Sequence, residues 1–158
     1  MDNKSCARRI RWGIAGTGSM AKTFAKAIID HPQSELCAIG SRSLEKAQAL
    51  AQKLGVPRGY GSYADLASDP DIAIVHVATP NSYHFEHAKL FLEHGKHVLC
   101  EKTFTCSAQQ AQELVELARS RDCLLVEGMW TRFFFTLRLG FNVKGRHGRW
   151  FAIRIECH

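Results

Sequence analysis

A glycine-rich turn behind a short apolar run constrains the fold of this chain more than any other feature. Residues 10–15 form the apolar run, residues 16–21 read Gly-Thr-Gly-Ser-Met-Ala, and an Ala/Ile/Phe-rich segment with helical spacing follows. A strand, a G-x-G-x-x-A turn and a helix, in this order, are typical of a dinucleotide-binding site. Gly16 permits the tight turn, and Gly18 lets the backbone approach a pyrophosphate at the helix N-terminus. These residues therefore predict a nucleotide site at the turn.

Strands alternate with helices along the rest of the chain. Apolar runs predict further strands at residues 35–40, 72–78, 97–100 and 123–126, with a short strand and a brief helix over residues 60–66. Helices are predicted over residues 20–29, 44–54 and 83–94, and one more helix begins after Ser107. This alternation predicts an α/β fold with a doubly wound parallel sheet, the Rossmann fold.

Two serines are predicted to cap helices. Ser82 precedes the helix over residues 83–94, which Gly95 ends, and Ser107 precedes the last helix. The apolar positions of that last helix are predicted to share one face: Ala108, Ala111, Leu114, Val115 and Ala118.

The 158 residues are enough for one domain with a hydrophobic core. We expect residues 1–9 to form a tail, residues 10–130 to form the nucleotide-binding domain, and residues 131–158 to begin a second domain. In this last part the pattern predicts a linking helix at Phe133 to Val143 and a strand at Trp150 to Ile155. Because that strand has no partner, we expect the chain to be truncated.

The overall charge and the cysteines limit the class of protein. A net charge of +6 fits nucleic acid or a phosphate-bearing cofactor, but the basic residues are spread out and no nucleic-acid motif accompanies them. No signal peptide or membrane span is predicted, and the six cysteines form no C-x-x-C pair. Reduced thiols in a cytoplasmic protein that binds neither nucleic acid nor membrane are the favoured interpretation.

The end of the second strand predicts which nicotinamide coenzyme is preferred. An acidic residue there would bind the ribose 2′-hydroxyl of NAD, but the chain has Ser41-Arg42-Ser43, with Lys46 one helical turn further on. A guanidinium binds phosphate oxygens through charge-assisted hydrogen bonds, so these residues favour NADP(H) over NAD(H). The alternative is that Arg42 is an ordinary exposed loop arginine.

Polar residues also follow the next two strands, at the sheet edge where ligands bind in such folds. Thr79-Pro80-Asn81 ends one strand and Cys100-Glu101-Lys102-Thr103 ends the other. Lys102 can hydrogen-bond a substrate hydroxyl and ease its proton loss during hydride transfer, although a Glu101–Lys102 pair alone is more typical of a solvated ion pair. The histidines at 84 and 87, and those at 94 and 97, are pairs spaced three residues apart. Because neither pair is accompanied by a third ligand, surface histidines are favoured over a metal site.

Several blocks together resemble one oxidoreductase family. The blocks are Gly-Ile-Ala-Gly-Thr-Gly-Ser-Met-Ala, Gly-Ser-Arg-Ser-Leu-Glu-Lys-Ala, Tyr-Gly-Ser-Tyr, Ala-Thr-Pro-Asn-Ser-Tyr-His, Gly-Lys-His-Val-Leu-Cys-Glu-Lys and Glu-Gly-Met-Trp-Thr-Arg-Phe. In this order they resemble the glucose-fructose oxidoreductase / inositol dehydrogenase family (Gfo/Idh/MocA). The Trp-Thr-Arg-Phe version is most similar to the branch of dihydrodiol dehydrogenases and NADP-dependent D-xylose dehydrogenases.

The resemblance implies a two-domain enzyme that moves hydride between NADP(H) and a carbon of a sugar, polyol or diol. It implies Lys102 as the catalytic lysine. It implies contacts along the cofactor from the pyrophosphate (Gly16, Thr17, Gly18, Ser19, Met20), through the 2′-phosphate (Ser41, Arg42, Lys46), to the nicotinamide half (Thr79, Pro80, Asn81, His84, Glu101, Lys102) and the substrate side (Trp130, Arg132). The proton donor, most substrate contacts and the surface that makes relatives homo-oligomers are implied for a second domain.

Two residues depart from the family pattern. Thr103 stands where the family has proline after the catalytic lysine, and proline restricts the backbone of the residue before it. Phe135 stands where the branch tends to have proline at a helix start. The resemblance also places the proton donor and most substrate contacts in a second domain. For this chain alone, we therefore expect cofactor binding with little or no turnover. The alternative is a non-catalytic NADP(H)-binding module or a nucleotide-sensing regulator.

Overall fold

In the computed structural model, residues 9–130 are described. Six strands form a single parallel sheet in the order β3-β2-β1-β4-β5-β6. Their bounds are β1 Ile10–Ala15, β2 Ser34–Gly40, β3 Arg58–Tyr60, β4 Ile74–Val77, β5 His97–Glu101 and β6 Leu125–Gly128. This topology confirms the predicted Rossmann fold. The strand order reverses between β1 and β4, and ligands bind at such switch points.

Five α-helices connect the strands: α1 Ser19–Asp30, α2 Leu44–Leu54, α3 Tyr63–Ser68, α4 His84–Glu93 and α5 Ala108–Ser120. The buried side chains form two clusters, one on each face of the sheet. One cluster joins α1 and α2 to strand residues such as Trp12, Ile14 and Ile39. The other joins α3, α4 and α5 to Val75, Val77, Val98 and Cys100.

The central strand β4 is buried on both faces, as its apolar run predicts. All four of its residues, including His76, are buried, and β4 pairs with β1 on one side and β5 on the other. The strand is shorter than predicted, because Ile72 and Ala73 belong to a turn that Lys96 holds. The Lys96 ammonium is buried and donates to the carbonyl oxygens of Asp69 (2.6 Å) and Ile72 (2.9 Å).

The helix caps agree with the sequence except at one serine. Ser43 and Ser107 each accept a backbone N–H in the first turn of α2 and α5, and Gly95 ends α4 in the left-handed conformation. Ser82 is not a cap, so that prediction was wrong. It lies inside a 3₁₀ turn, Asn81–Tyr83, closed by a hydrogen bond from the Tyr83 N–H to the Pro80 carbonyl (2.9 Å), and α4 begins after it.

The predicted apolar face of α5 is also partly wrong. Leu114 and Ala118 are buried, and Leu117 is partly buried against the same cluster, but Ala108 and Val115 are exposed. The buried stripe, formed by Leu114, Leu117 and Ala118, is therefore narrower than the predicted apolar face, and the helix packs against α4 and β6.

The domain that contains the sheet ends with β6. The predicted linking helix and final strand lie outside the described residues, as do residues 1–8 of the predicted tail over residues 1–9, Arg132 and Phe135. Among the described helices, none has the length and apolar character needed to span a membrane.

Candidate functional site

A cavity of about 620 Å³ opens at the carboxyl ends of β1, β2 and β4. It is lined by the whole glycine turn, by the residues that follow β2, and by the residues that follow β4. The lining residues are Gly16, Thr17, Gly18, Ser19, Met20, Ser41, Arg42, Ser43, Lys46, Tyr63, Ala78, Thr79 and Pro80. The fold therefore brings together three segments that the sequence singled out separately.

The two glycines of the turn have different environments. Gly16 is buried with φ +122°, and a Cβ added there would lie 2.6 Å from the carbonyl oxygen of Ala78. Gly18 is exposed and is the N-cap of α1, and nothing lies within 4 Å of a Cβ added there. The turn thus requires a glycine at 16, whereas Gly18 leaves open space in front of the α1 N-terminus. The first turn of α1 has no side-chain cap, so its amides can donate to an anion.

The segment after β2 is fixed by its own serines. The Ser41 N–H donates to the Tyr60 carbonyl (3.0 Å), and its buried hydroxyl accepts the Ser43 N–H (3.2 Å). Ser43 in turn caps α2 by accepting the Lys46 N–H (3.3 Å). Arg42 and Lys46 remain exposed on this rigid segment and place two cations beside the cavity.

Arg42 is also packed against an aromatic column. Its Cζ lies 5.7 Å from the centroid of the Tyr83 ring, which stacks on His87 at 5.7 Å and 20°. The His87 ring contacts Tyr63 edge to face, and its Nδ1 lies 2.9 Å from the Thr79 hydroxyl. Burial lowers the pKa of His87, and nearby His84 and Arg42 act in the same direction while Glu86 opposes them. The column joins the residues after β2 to those after β4.

His84 lies beneath the edge rather than on the surface. Its ring is fully buried, with Nε2 2.8 Å from the Thr79 carbonyl oxygen and Nδ1 2.8 Å from the Thr103 carbonyl oxygen. The expectation of a surface histidine was therefore wrong. The ring is enclosed and does not line the cavity, and the role expected of His84 at the nicotinamide half stays a prediction.

Glu101 is paired with a buried histidine, not with its sequence neighbour Lys102. The carboxylate is buried, and its Oε1 lies 3.0 Å from Nε2 of His76 on β4. The alternative of a solvated Glu101–Lys102 ion pair is not what the structure has, because β4 and β5 are adjacent and bring buried His76 and buried Glu101 together. Burial lowers the pKa of His76, while the hydrogen bond and charge of Glu101 act in the opposite direction.

Lys102 is exposed at the end of β5, at the same edge of the sheet as the cavity. The peptide bond between Lys102 and Thr103 is cis. Two further contacts hold the loop: the Phe104 N–H donates to the Glu127 carboxylate (3.2 Å), and the Cys106 thiol lies 3.9 Å from the Asn81 carbonyl oxygen.

Ser43, Tyr63 and Ala78 also line the cavity. Ser43 belongs to the Ser41-Arg42-Ser43 segment that predicts the coenzyme, whereas Tyr63 and Ala78 were not predicted as lining residues. Ala78 carries no chemical signal, whereas Tyr63 follows β3, and a strand end at the same sheet edge is the signal that points to it. Trp130 is the last described residue and is exposed, and Arg132 lies outside the described residues, so neither is placed at the site. Residues 9–130 contain no group of three or more metal-ligating side chains.

The residues of the cavity fit a phosphate-bearing dinucleotide. The exposed Gly18 backbone and the uncapped α1 N-terminus suit a pyrophosphate, and the cations of Arg42 and Lys46 suit a further phosphate. Residues 10–129 match the model of the Gfo/Idh/MocA oxidoreductase family, described by its NAD-binding Rossmann fold. The chain belongs to this family.

Curated relatives of this Gfo/Idh/MocA chain come from the predicted branch. It is 42% identical over 137 residues to D-xylose 1-dehydrogenase (NADP(+)) of Hypocrea jecorina, matching 79% of this chain and 35% of that protein. It is 40% identical over 127 residues to trans-1,2-dihydrobenzene-1,2-diol dehydrogenase of Danio rerio, matching 79% of this chain and 38% of that protein. The chain thus spans little more than a third of the length of these relatives.

Solved structures give the same fold. KijD10, a 3-ketoreductase from Actinomadura kijaniata, in complex with TDP-benzene and NADP, superposes with a TM-score of 0.79 at 30% identity. The match covers 84% of this chain and 42% of KijD10. An NAD-binding oxidoreductase from Klebsiella pneumoniae superposes with a TM-score of 0.75 at 30% identity, over 80% of this chain and 36% of that one.

Proposed function

We propose that the cavity binds NADP(H), with its pyrophosphate on the glycine turn and α1 N-terminus. The observation that carries this proposal is the open space at Gly18 in front of an uncapped helix. Backbone amides there donate hydrogen bonds to the anion, and the helix dipole adds a partial positive charge. Thr17, Ser19 and Met20 line the same wall.

The preference for NADP(H) over NAD(H) rests on the segment after β2. Ser41 and Ser43 hold this segment in place, and Arg42 and Lys46 receive the 2′-phosphate. Among the described residues, none that lines the cavity carries a carboxylate to bind a free 2′-hydroxyl. The names of the xylose dehydrogenase relative and of the KijD10 structure both include NADP, which supports the same assignment.

The proposed reaction is hydride transfer between NADP(H) and a carbon of a sugar, polyol or trans-dihydrodiol. When bound, the nicotinamide ring supplies or accepts the hydride. Lys102 is the proposed catalytic residue: its Nζ hydrogen-bonds the substrate hydroxyl and stabilises the oxygen as that hydroxyl loses its proton. Thr79, Pro80 and Asn81 flank the nicotinamide half, and Trp130 and Arg132 are proposed for the substrate side.

By itself this chain is proposed to bind the cofactor with little turnover. Hydride transfer requires an aligned substrate and exclusion of water, whereas Lys102 is exposed to solvent in the described domain. The free thiols among residues 9–130 support a cytoplasmic location, and the proposed partner is a small-molecule substrate.

Calorimetric titration with NADPH and NADH tests the coenzyme assignment. We expect Arg42→Ala to weaken NADPH binding by about 1.5–3 kcal/mol, which is roughly 12- to 140-fold, and to leave NADH binding within about twofold. Arg119→Ala, an exposed arginine on α5, is the matched control and is expected to change neither. Equal losses for both coenzymes would remove the assignment of Arg42 to the 2′-phosphate.

Incubation with NADP⁺ and a panel of aldoses, polyols and diols tests the reaction. We expect turnover near background. Substantial turnover that Lys102→Ala abolishes would contradict the low activity proposed for this chain while supporting the role of Lys102.

A further inference from the structure

The buried ring of His84 connects the two loops that end β4 and β5. Its Nε2 lies 2.8 Å from the carbonyl oxygen of Thr79, and its Nδ1 lies 2.8 Å from the carbonyl oxygen of Thr103. The two residues are far apart in sequence, but their strands are neighbours in the sheet. The first residue of α4 thus stands between two backbone segments.

Both contacts of His84 are to atoms that only accept hydrogen bonds. A neutral imidazole has one N–H group, so it can donate to one carbonyl only, whereas a ring with both nitrogens protonated donates to both. Two such hydrogen bonds also supply partners for a polar ring that has no contact with water. Both ring nitrogens therefore lie within hydrogen-bond distance of a backbone carbonyl, and the ring links the two loops.

The two carbonyls belong to residues that bear on the proposed cofactor site. Thr79 lines the cavity, and Thr103 directly follows Lys102. The second loop is also held at Phe104, by the Glu127 carboxylate and the Cys100 thiol, and at Cys106, by the Gln110 side chain and the Asn81 carbonyl. Only the His84 bridge reaches the carbonyl next to Lys102 among the side-chain contacts of the described residues.

We propose that His84 is a positioning residue: through the contacts of its two ring nitrogens it ties Thr79 to Thr103 and sets the place of Lys102 relative to the nicotinamide half of the cofactor. This proposal rests on the proposed function and extends it to a residue that cannot touch the cofactor with its side chain. The adenosine half is assigned to Arg42 and Lys46, and no side-chain hydrogen bond of the described residues joins either of them to His84.

The titratable groups near His84 are His76 and His87, together with Glu101 and Lys102 at the end of β5. His76 lies on β4 against Glu101, and His87 lies one helical turn along α4. Burial lowers the pKa values of both, and His84 lowers each of them further. Lys102 stands on the loop that the bridge holds.

Ligand selectivity tests the bridge. His84→Gln leaves a single donor group at this position and is expected to weaken NADPH binding about tenfold, as loss of one strong hydrogen bond would. Binding of adenosine 2′,5′-bisphosphate, which lacks the nicotinamide half, is expected to stay within about twofold. His94→Gln, an exposed histidine at the end of the same helix, is the matched control and is expected to change neither ligand.

A measurement on the unsubstituted chain keeps the test decisive if His84→Gln fails to fold. Hydrogen–deuterium exchange is expected to show protection of the amides in the Lys102–Cys106 loop. In a folded His84→Gln variant, that protection is expected to fall while exchange in β1 and β2 stays unchanged.

The binding results distinguish a failure of the proposed function from a failure of the positioning role of His84. If the unsubstituted chain binds neither NADPH nor adenosine 2′,5′-bisphosphate, the proposed function is wrong. If it binds both and His84→Gln weakens them equally or not at all, the positioning role is wrong. Absence of hydrogen–deuterium exchange protection in the Lys102–Cys106 loop of the unsubstituted chain also overturns the bridge.

Discussion

The two glycines of the turn are predicted to respond in opposite ways to the same substitution. In Gly16→Ala the new Cβ would lie 2.6 Å from the Ala78 carbonyl oxygen, on a backbone with φ +122°. Unfavourable backbone conformation costs about 1–3 kcal/mol, and overpacking costs about 1–3 kcal/mol. We therefore expect Gly16→Ala to lower the free energy of unfolding by about 2–6 kcal/mol, with Tm falling by roughly 4–24 °C.

Gly18→Ala is expected to leave the fold intact and impair binding. No atom lies within 4 Å of the added Cβ, so the free energy of unfolding should stay within about 0.5 kcal/mol. The same methyl group would occupy space where the backbone approaches the pyrophosphate. Steric conflict of about 1–3 kcal/mol corresponds to a roughly 5- to 150-fold loss of NADPH affinity.

Urea denaturation and calorimetric titration of both variants separate stability from binding. The reasoning about the turn is refuted if Gly16→Ala is as stable as the unsubstituted chain. The assignment of the pyrophosphate is refuted if Gly18→Ala binds NADPH with unchanged affinity.

Three further predictions concern buried groups of the domain. Lys96→Met should lower the free energy of unfolding by about 1–3 kcal/mol in urea denaturation, because the carbonyls of Asp69 and Ile72 lose their donor; unchanged stability would contradict this role. Burial raises the pKa of Cys100 to about 12, so mass-spectrometric mapping at neutral pH should find it unmodified by a thiol reagent that labels exposed Cys106; equal labelling would contradict its burial. Burial lowers the pKa of His76 below 6.5, so the unfolded chain binds a proton that the folded chain does not. The free energy of unfolding should therefore fall as pH drops below about 6.5, by at most about 1.4 kcal/mol per pH unit from this group. His76→Gln should show a shallower pH dependence, and an identical one would refute the lowered pKa of His76.

Local sequence rules predicted the sheet well, because each strand is a short apolar run closed by a turn. The glycine turn, the caps at Ser43 and Ser107 and the end of α4 at Gly95 all depend on neighbours in sequence, and the structure has each of them. Ser82 is not a cap because of another local feature: Pro80 starts a tighter 3₁₀ turn that contains Ser82.

The contacts that sequence reasoning missed join different elements. The sequence marks His76 and Glu101 as buried-strand and strand-end residues, but only the pairing of β4 with β5 brings them within 3.0 Å. The His84 bridge likewise depends on two loops that are distant in sequence. Tyr63 reaches the cavity because β3 ends at the same edge as β2. Motif spacing therefore indicated where the site lies, whereas its supporting network required the tertiary structure.

Phosphorus NMR of NADPH titrated with this chain tests the central claim most directly, since the pyrophosphate and the 2′-phosphate give separate resonances. Contacts of the first with the glycine turn and of the second with Arg42 predict that all of these resonances shift or broaden on binding. In Arg42→Ala only the 2′-phosphate resonance should return toward its free position. Spectra that stay those of free NADPH at saturating protein would contradict the account.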